Sequence, residues 1–95
     1  MKRRMIKEDI INEVCRDTRR PRYMVDEIVN SMLDNITLAL SQGNEVQFAG
    51  FGTFEPKHRA ARTGRNPHTN EAVPIPARVV PSFKAGANLK KAVIK

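Results

Sequence analysis

Along the first half of the chain apolar residues return every three or four positions, and along the second half they alternate. Ile6, Ile10 and Val14 lie four apart with Ile11 and Cys15 beside them, which predicts a short amphipathic helix ending near Thr18. Pro21 suits the first turn of a second helix, where Val25, Ile28, Val29, Met32, Leu33, Ile36 and Leu40 keep the helical spacing until Gly43 stops it. That apolar face is wider than the first helix alone covers, so something else packs there.

From Val46 and Phe48 onward the period is two, and Gly50-Phe51-Gly52-Thr53-Phe54 has the composition of strand and tight turn. Lys57 and Arg59, and later Val73, Ile75, Ala77 and Val79, predict strands running out and back around the polar cluster from Thr63 to Asn70. Pro74 and Pro76 stand two apart and are expected to remove donors from one edge of the returning strand, which suits an arm standing in solvent. Leu89 and Val93, four apart, predict a short basic C-terminal helix. The expected fold class is α+β, with two N-terminal helices, a three-stranded antiparallel sheet extended by a long β-hairpin arm, and a short last helix. One domain over 1–95 is expected: a helical base over 1–43, a sheet over 44–83 with its arm at about 56–80, and the helix over 84–95.

A chain of 95 residues buries only about 60 to 65% of its unfolded surface, and an arm in solvent lowers that further. Pairing with a second copy is the natural remedy, so a homodimer is expected. Phe48, Phe51, Phe54 and Phe83 are assigned to its core, because their neighbours are Gly, Ala and Val and the chain has no Trp and one Tyr.

Charge changes the picture from architecture to partner. Seventeen Lys and Arg oppose ten Asp and Glu, and the excess is uneven. Residues 1–43 carry eight basic and seven acidic groups, whereas residues 44–95 carry nine and three. Such a surface attracts polyanions, of which nucleic acid is the commonest, with anionic membrane and acidic protein as other options. Arg59, Arg62 and Arg65 fall three apart along the arm with Lys57 and Arg78 nearby and only Glu71 opposing, a stripe suited to a phosphate-lined groove. At the tip, Pro67 is a rigid apolar ring flanked by Arg65 and Asn66. That is the chemistry of a wedge between base pairs, although an Asn-Pro step more often simply starts a turn; the residues alone leave both open.

The order Gly50-Phe51, Phe54, Arg59, Arg62, Gly64, Asn66-Pro67 and Thr69 resembles the signature of the HU/integration host factor family. The resemblance extends to Val80-Pro81-Ser82-Phe83, the final helix and, more loosely, the two N-terminal helices. It implies an intertwined dimer whose helices form a base and whose sheets form a saddle, with two arms wrapping the minor groove of double-stranded DNA and a proline at each tip inserted between bases. By that resemblance Arg59, Arg62, Arg65, Asn66 and Pro67 are arm contacts, with Lys84, Lys90 and Lys91 as phosphate contacts along the body. Asn70 departs from the family, which usually has glycine there; Asn is the next-best residue at positive φ. The implied function is histone-like: binding duplex DNA with little regard to sequence, preferring nicked or distorted sites, and bending it to organise a bacterial chromosome in the cytoplasm. A site-specific bender of the integration host factor type is the nearest alternative. A basic RNA-binding accessory protein and a structural protein that assembles without nucleic acid are the others.

Other chemistry finds no support. No nucleophile, base and orienting acid recur together, so no enzyme, cofactor or small-molecule substrate is expected. His58 and His68, placed on different sides of the hairpin tip, have no cysteine or carboxylate cluster for a metal. Cys15 is read as a small buried apolar residue. Arg16, Arg19, Arg20 and Arg22 form a solvated corner near Asp17, Asp26 and Glu27. Lys2, Arg3 and Arg4 are read as a solvated end, since Lys7, Glu8 and Asp9 interrupt any secretory core, and no segment is expected to span a membrane.

Overall fold

In the computed structural model, which describes residues 3–94, the elements follow in the order α1 (Lys7–Thr18), α2 (Arg22–Ser41), β1 (Val46–Phe48), β2 (Gly52–Arg59), β3 (Arg62–Arg65), β4 (Ala72–Ile75), β5 (Arg78–Ala85) and α3 (Ala87–Val93). Lys2 of the basic N-terminal group lies outside the described residues. The chain divides into two compact units, Met1–Thr37 and Leu38–Lys95.

In the first unit the Asp9 carboxylate accepts the Ile6 N–H at 2.9 Å and so caps the start of α1. Arg19 ends the helix in the left-handed region, φ 56°, with its N–H donating to the Cys15 carbonyl at 2.8 Å. The Pro21 carbonyl then accepts from Met24 and Val25, so Pro21 sits one place ahead of the helix it was expected to begin. Lys7 Nζ donates to Asn30 Oδ1 at 2.6 Å, and Arg22 donates to Asn12 Oδ1, which pins the two helices antiparallel. The packing inside this pair is thin. Ile11 (0% exposed) and Val25 (4%) are the only buried apolar residues among those described, whereas Ile28 is 66% exposed and Met32 and Leu33 are also open. Cys15 is half-buried.

In the second unit Gly43, at φ 86°, ends α2 by donating to the Leu40 carbonyl. The sheet has the order β1-β2-β5, antiparallel throughout, and β3 and β4 form a separate two-stranded ladder. α3 is held to the β1–β2 turn by N–H groups of Asn88 and Leu89 on the Gly50 carbonyl, and by Gly86 N–H on the Phe51 carbonyl. Sheet structure runs to Ala85, so the last helix begins at Ala87, three residues later than expected.

The long hairpin is interrupted, and its prolines explain where. Pro56 faces Pro81 in β2/β5, and two residues without N–H groups form a non-hydrogen-bonded pair. Alternation makes Glu55–Ser82, Lys57–Val80 and Arg59–Arg78 the hydrogen-bonded pairs. In the outer ladder the Asn66 N–H donates to the Glu71 carbonyl at 3.0 Å, so Gly64–Val73 and Arg62–Ile75 are hydrogen-bonded and Thr63–Pro74 is not. The two ladders keep one offset between the strands yet differ in phase by a residue. Continued outward, the inner phase demands an N–H from Pro76 opposite Ala61 and another from Pro74 opposite Thr63. Neither residue has one, so pairing stops at Arg59–Arg78 and restarts at Arg62–Ile75 in the other phase. The expectation that Pro74 and Pro76 lie alike on one edge of one strand is thereby corrected. Pro74 is inside β4 with its missing donor turned to the free edge, and Pro76 lies in the break between β4 and β5.

Candidate nucleic-acid interface

Strand alternation sorts the side chains of β2/β5 onto two faces. One face carries Phe54 and Phe83, opposite each other with ring centroids 4.7 Å apart, and is extended by Phe48 on β1, 6.2 Å from Phe54. Gly52 stands beneath the Phe83 ring, where a Cβ would also meet the Lys84 carbonyl at 2.8 Å. Phe51 completes the cluster, 5.8 Å from Phe83. Within the single chain this cluster is incompletely covered: Phe54 is half-buried, and Phe48, Phe51 and Phe83 are open, Phe83 at 42%.

The other face carries Lys57, Arg59, Arg78 and Lys84, with Thr53, Val80, Ser82 and a single acid, Glu55. Four of the expected contact residues thus share one surface, although they come from strands separated by the whole arm. Arg59 and Arg78 are directly opposed across a hydrogen-bonded pair, an arrangement in which like charges repel unless an anion lies over them. Sequence reasoning missed Thr53 and Ser82, which the same alternation brings beside the basic groups; counting in twos back from Lys57 and up from Arg78 finds both.

Arg59, Arg62 and Arg65 do not form the single stripe that their spacing promised. Arg62 and Arg65 lie three apart within β3, so they point to opposite faces, and the phase break separates Arg59 from both. Gly64 is packed under Ile75, whose Cδ1 is 2.8 Å from where a Cβ would sit; Arg62, Gly64, Val73 and Ile75 share that face, and Thr63, Arg65, Ala72 and Pro74 the other. Lys90 and Lys91 are exposed on α3, off the ladder.

The tip runs from Asn66 to Glu71. Pro67 is exposed at its apex, and Asn70 takes φ 62°, the positive value its sequence position required. His68 lies in this turn and His58 in β2, so the pair does not flank the tip as expected; no group of three metal-ligating side chains occurs among the described residues. Among the described residues the Arg corner holds one ion pair, Arg16 to Glu13 at 3.3 Å. No described helix is long and apolar enough to cross a membrane.

A small α+β chain whose sheet has one aromatic face, one cationic face and a two-stranded basic arm defines an anion-binding scaffold of the β-arm class. The family model described as bacterial DNA-binding protein matches residues 5–94, and the chain belongs to that family. It is 49% identical over 87 residues to the DNA-binding protein HU of Lactococcus lactis, covering 92% of this chain and 96% of the relative. It is 46% identical over 89 residues to DNA-binding protein HU-1 of Halalkalibacterium halodurans, covering 94% and 99%. Among solved structures, an Anabaena HU–DNA cocrystal superposes with a TM-score of 0.88 at 37% identity, covering 96% of this chain and 100% of that one. HU from Thermotoga maritima gives 0.67 at 31% identity, with 94% and 98% covered.

Proposed function

We propose that this chain is a histone-like protein that binds duplex DNA with little sequence preference and bends it, acting as a homodimer at the bacterial nucleoid in the cytoplasm. It is a binding protein and not an enzyme. The observation that carries the reading is the shared face of Lys57, Arg59, Arg78 and Lys84 on the sheet from which the arm springs. Cations on one surface attract the phosphate backbone without reading bases, which gives affinity with little sequence preference. The arm, roughly ten residues a side and about 30 Å long, carries Arg62, Arg65 and Asn66 out to Pro67, a ring suited to wedge between base pairs in the minor groove. Lys90 and Lys91 add phosphate contacts along the body. Relatives and a structural neighbour named for DNA binding support the partner.

The homodimer is supported by what one chain leaves open: Ile28, Met32 and Leu33 on α2, and Phe48, Phe51 and Phe83 of the aromatic cluster. A second copy covers these surfaces and brings a second arm. Unstacking a base step costs a few kcal/mol, so nicked or gapped duplexes, where less remains to be unstacked, bind more tightly.

The test is fluorescence anisotropy on intact, nicked and scrambled duplexes of equal length across a range of salt. The expected result is tighter binding to the nicked duplex, indifference to scrambling and a steep loss of affinity with salt. Strong dependence on sequence overturns the general-binder reading in favour of a site-specific bender, and absence of salt-sensitive duplex binding overturns the DNA reading altogether.

A further inference from the structure

The tip is more than a flexible turn that happens to carry a proline. Asn66 Oδ1 accepts the His68 N–H at 2.9 Å, closing a ring of hydrogen-bonded atoms around Pro67. The Asn66 carbonyl accepts the Asn70 N–H at 2.7 Å, and its own N–H donates to the Glu71 carbonyl at 3.0 Å. Arg65 reaches over from β3, its Nη1 donating to the Asn70 carbonyl at 3.0 Å. Asn66 is accordingly half-buried while Pro67, His68, Thr69 and Asn70 are all exposed.

We propose that Asn66 is a positioning residue: its side-chain carbonyl fixes the turn that presents Pro67, and its contribution to bending passes through the proline instead of through a contact of its own with a base. This rests on the wedge reading of Pro67 given above. The physical reason is one of preorganisation. A ring inserted between stacked bases must arrive in one orientation, and a turn that samples several spends binding free energy on ordering itself at that moment. Asn supplies an acceptor at the distance an N–H two residues on requires, and with its side-chain oxygen, backbone oxygen and backbone N–H all engaged in the turn, only the amide NH2 is left to meet DNA. Arg65 works alongside it, clamping the Asn70 carbonyl from the face of β3 opposite to Arg62.

The test is a double-mutant cycle on bend angle, read by energy transfer across an end-labelled duplex with the full dimer, using Asn66→Ala, Pro67→Ala and the double variant. The proposal expects Asn66→Ala to reduce the bend and the double variant to match Pro67→Ala alone. In the free protein, His68 amide exchange should accelerate about five-fold in Asn66→Ala and stay slow in Asn66→Asp, which keeps the acceptor. Additive losses of bend, or an Asn66→Ala bend equal to that of the parent, overturn the proposal while leaving the wedge intact. Unchanged His68 exchange in Asn66→Ala also overturns it. A Pro67→Ala protein that bends as the parent does removes the wedge reading, and the positioning role falls with it.

Discussion

The inner ladder β2/β5 and the outer ladder β3/β4 belong to one hairpin with one strand offset, yet they are held by different forces. The inner ladder has a face of interlocked phenylalanines, and sliding β2 by one residue against β5 would turn Phe54 away from Phe83, put Thr53 or Glu55 in its place and bring Lys57 and Arg59 onto the aromatic face. Burial therefore fixes its register. The outer ladder has no such face: Ile75 over Gly64 is its main apolar contact, and most of its side chains are exposed. Its register and phase are set by backbone chemistry, namely the prolines that forbid the inner phase and the hydrogen bonds of the Asn66–Glu71 turn. An element meant to stand in solvent and reach a ligand has to be specified without a core, and here missing donors and a closed turn do that.

The sharpest test of this contrast is stability. Phe54→Ala should destabilise the protein by about 3 kcal/mol through loss of the central ring of the cluster, whereas Ile75→Ala should stay within about 0.5 kcal/mol, both measured by urea denaturation at fixed protein concentration. Equal losses would mean that the arm is part of the core. Function should respond the other way. Replacing Arg59, Arg62 and Arg65 together with Ala should leave the melting temperature near that of the parent, and should reduce the slope of log affinity against log salt by roughly 0.9 for each phosphate no longer neutralised. An unaltered slope would remove these arginines from the interface.

The next effect is smaller and local. Pro76→Ala alone should leave the break in place, because Pro74 still forbids the inner phase opposite Thr63. The Pro74→Ala, Pro76→Ala double variant restores both donors and should let the inner phase run outward, seen as new cross-strand proximity between Ala61 and residue 76 by NMR. A single variant that closes the break would show that Pro76 acts by itself. Smallest of all, Asn70→Gly relieves a left-handed residue and should shift stability by no more than about 0.5 kcal/mol, checked by thermal unfolding.

Much of this was legible from residue order. The two helices follow their three-and-four spacing to within a few residues, and Gly43 and Asn70 stand where positive φ is needed. The sign and location of the charge were also plain. What spacing along one strand does not carry is the phase of pairing with the other. Arg59, Arg62 and Arg65 look like a stripe when counted in threes, but a strand sorts residues in twos, and the break at Ala60–Ala61 is caused by Pro74 and Pro76 together on the opposite strand. The same applies to the cationic face, where Lys84 joins Lys57 only through the pairing of β2 with β5. The side-chain clamp of Arg65 on Asn70 was hidden for a further reason: an arginine in a basic arm has an obvious use in meeting phosphate, and only geometry reveals the structural one.

Whether the arm does the bending is decided by removing the outer ladder. Because the strand offset is constant, residues 60–77 can be replaced by a two-residue hairpin turn without disturbing the pairing of Arg59 with Arg78, and a thermal melt checks that the shortened dimer folds. On an end-labelled duplex the shortened dimer should bind more weakly, still salt-sensitively, through Lys57, Arg59, Arg78 and Lys84, with the bend measured by energy transfer abolished. A shortened protein that bends the duplex as far as the parent would contradict a bending role for the arm.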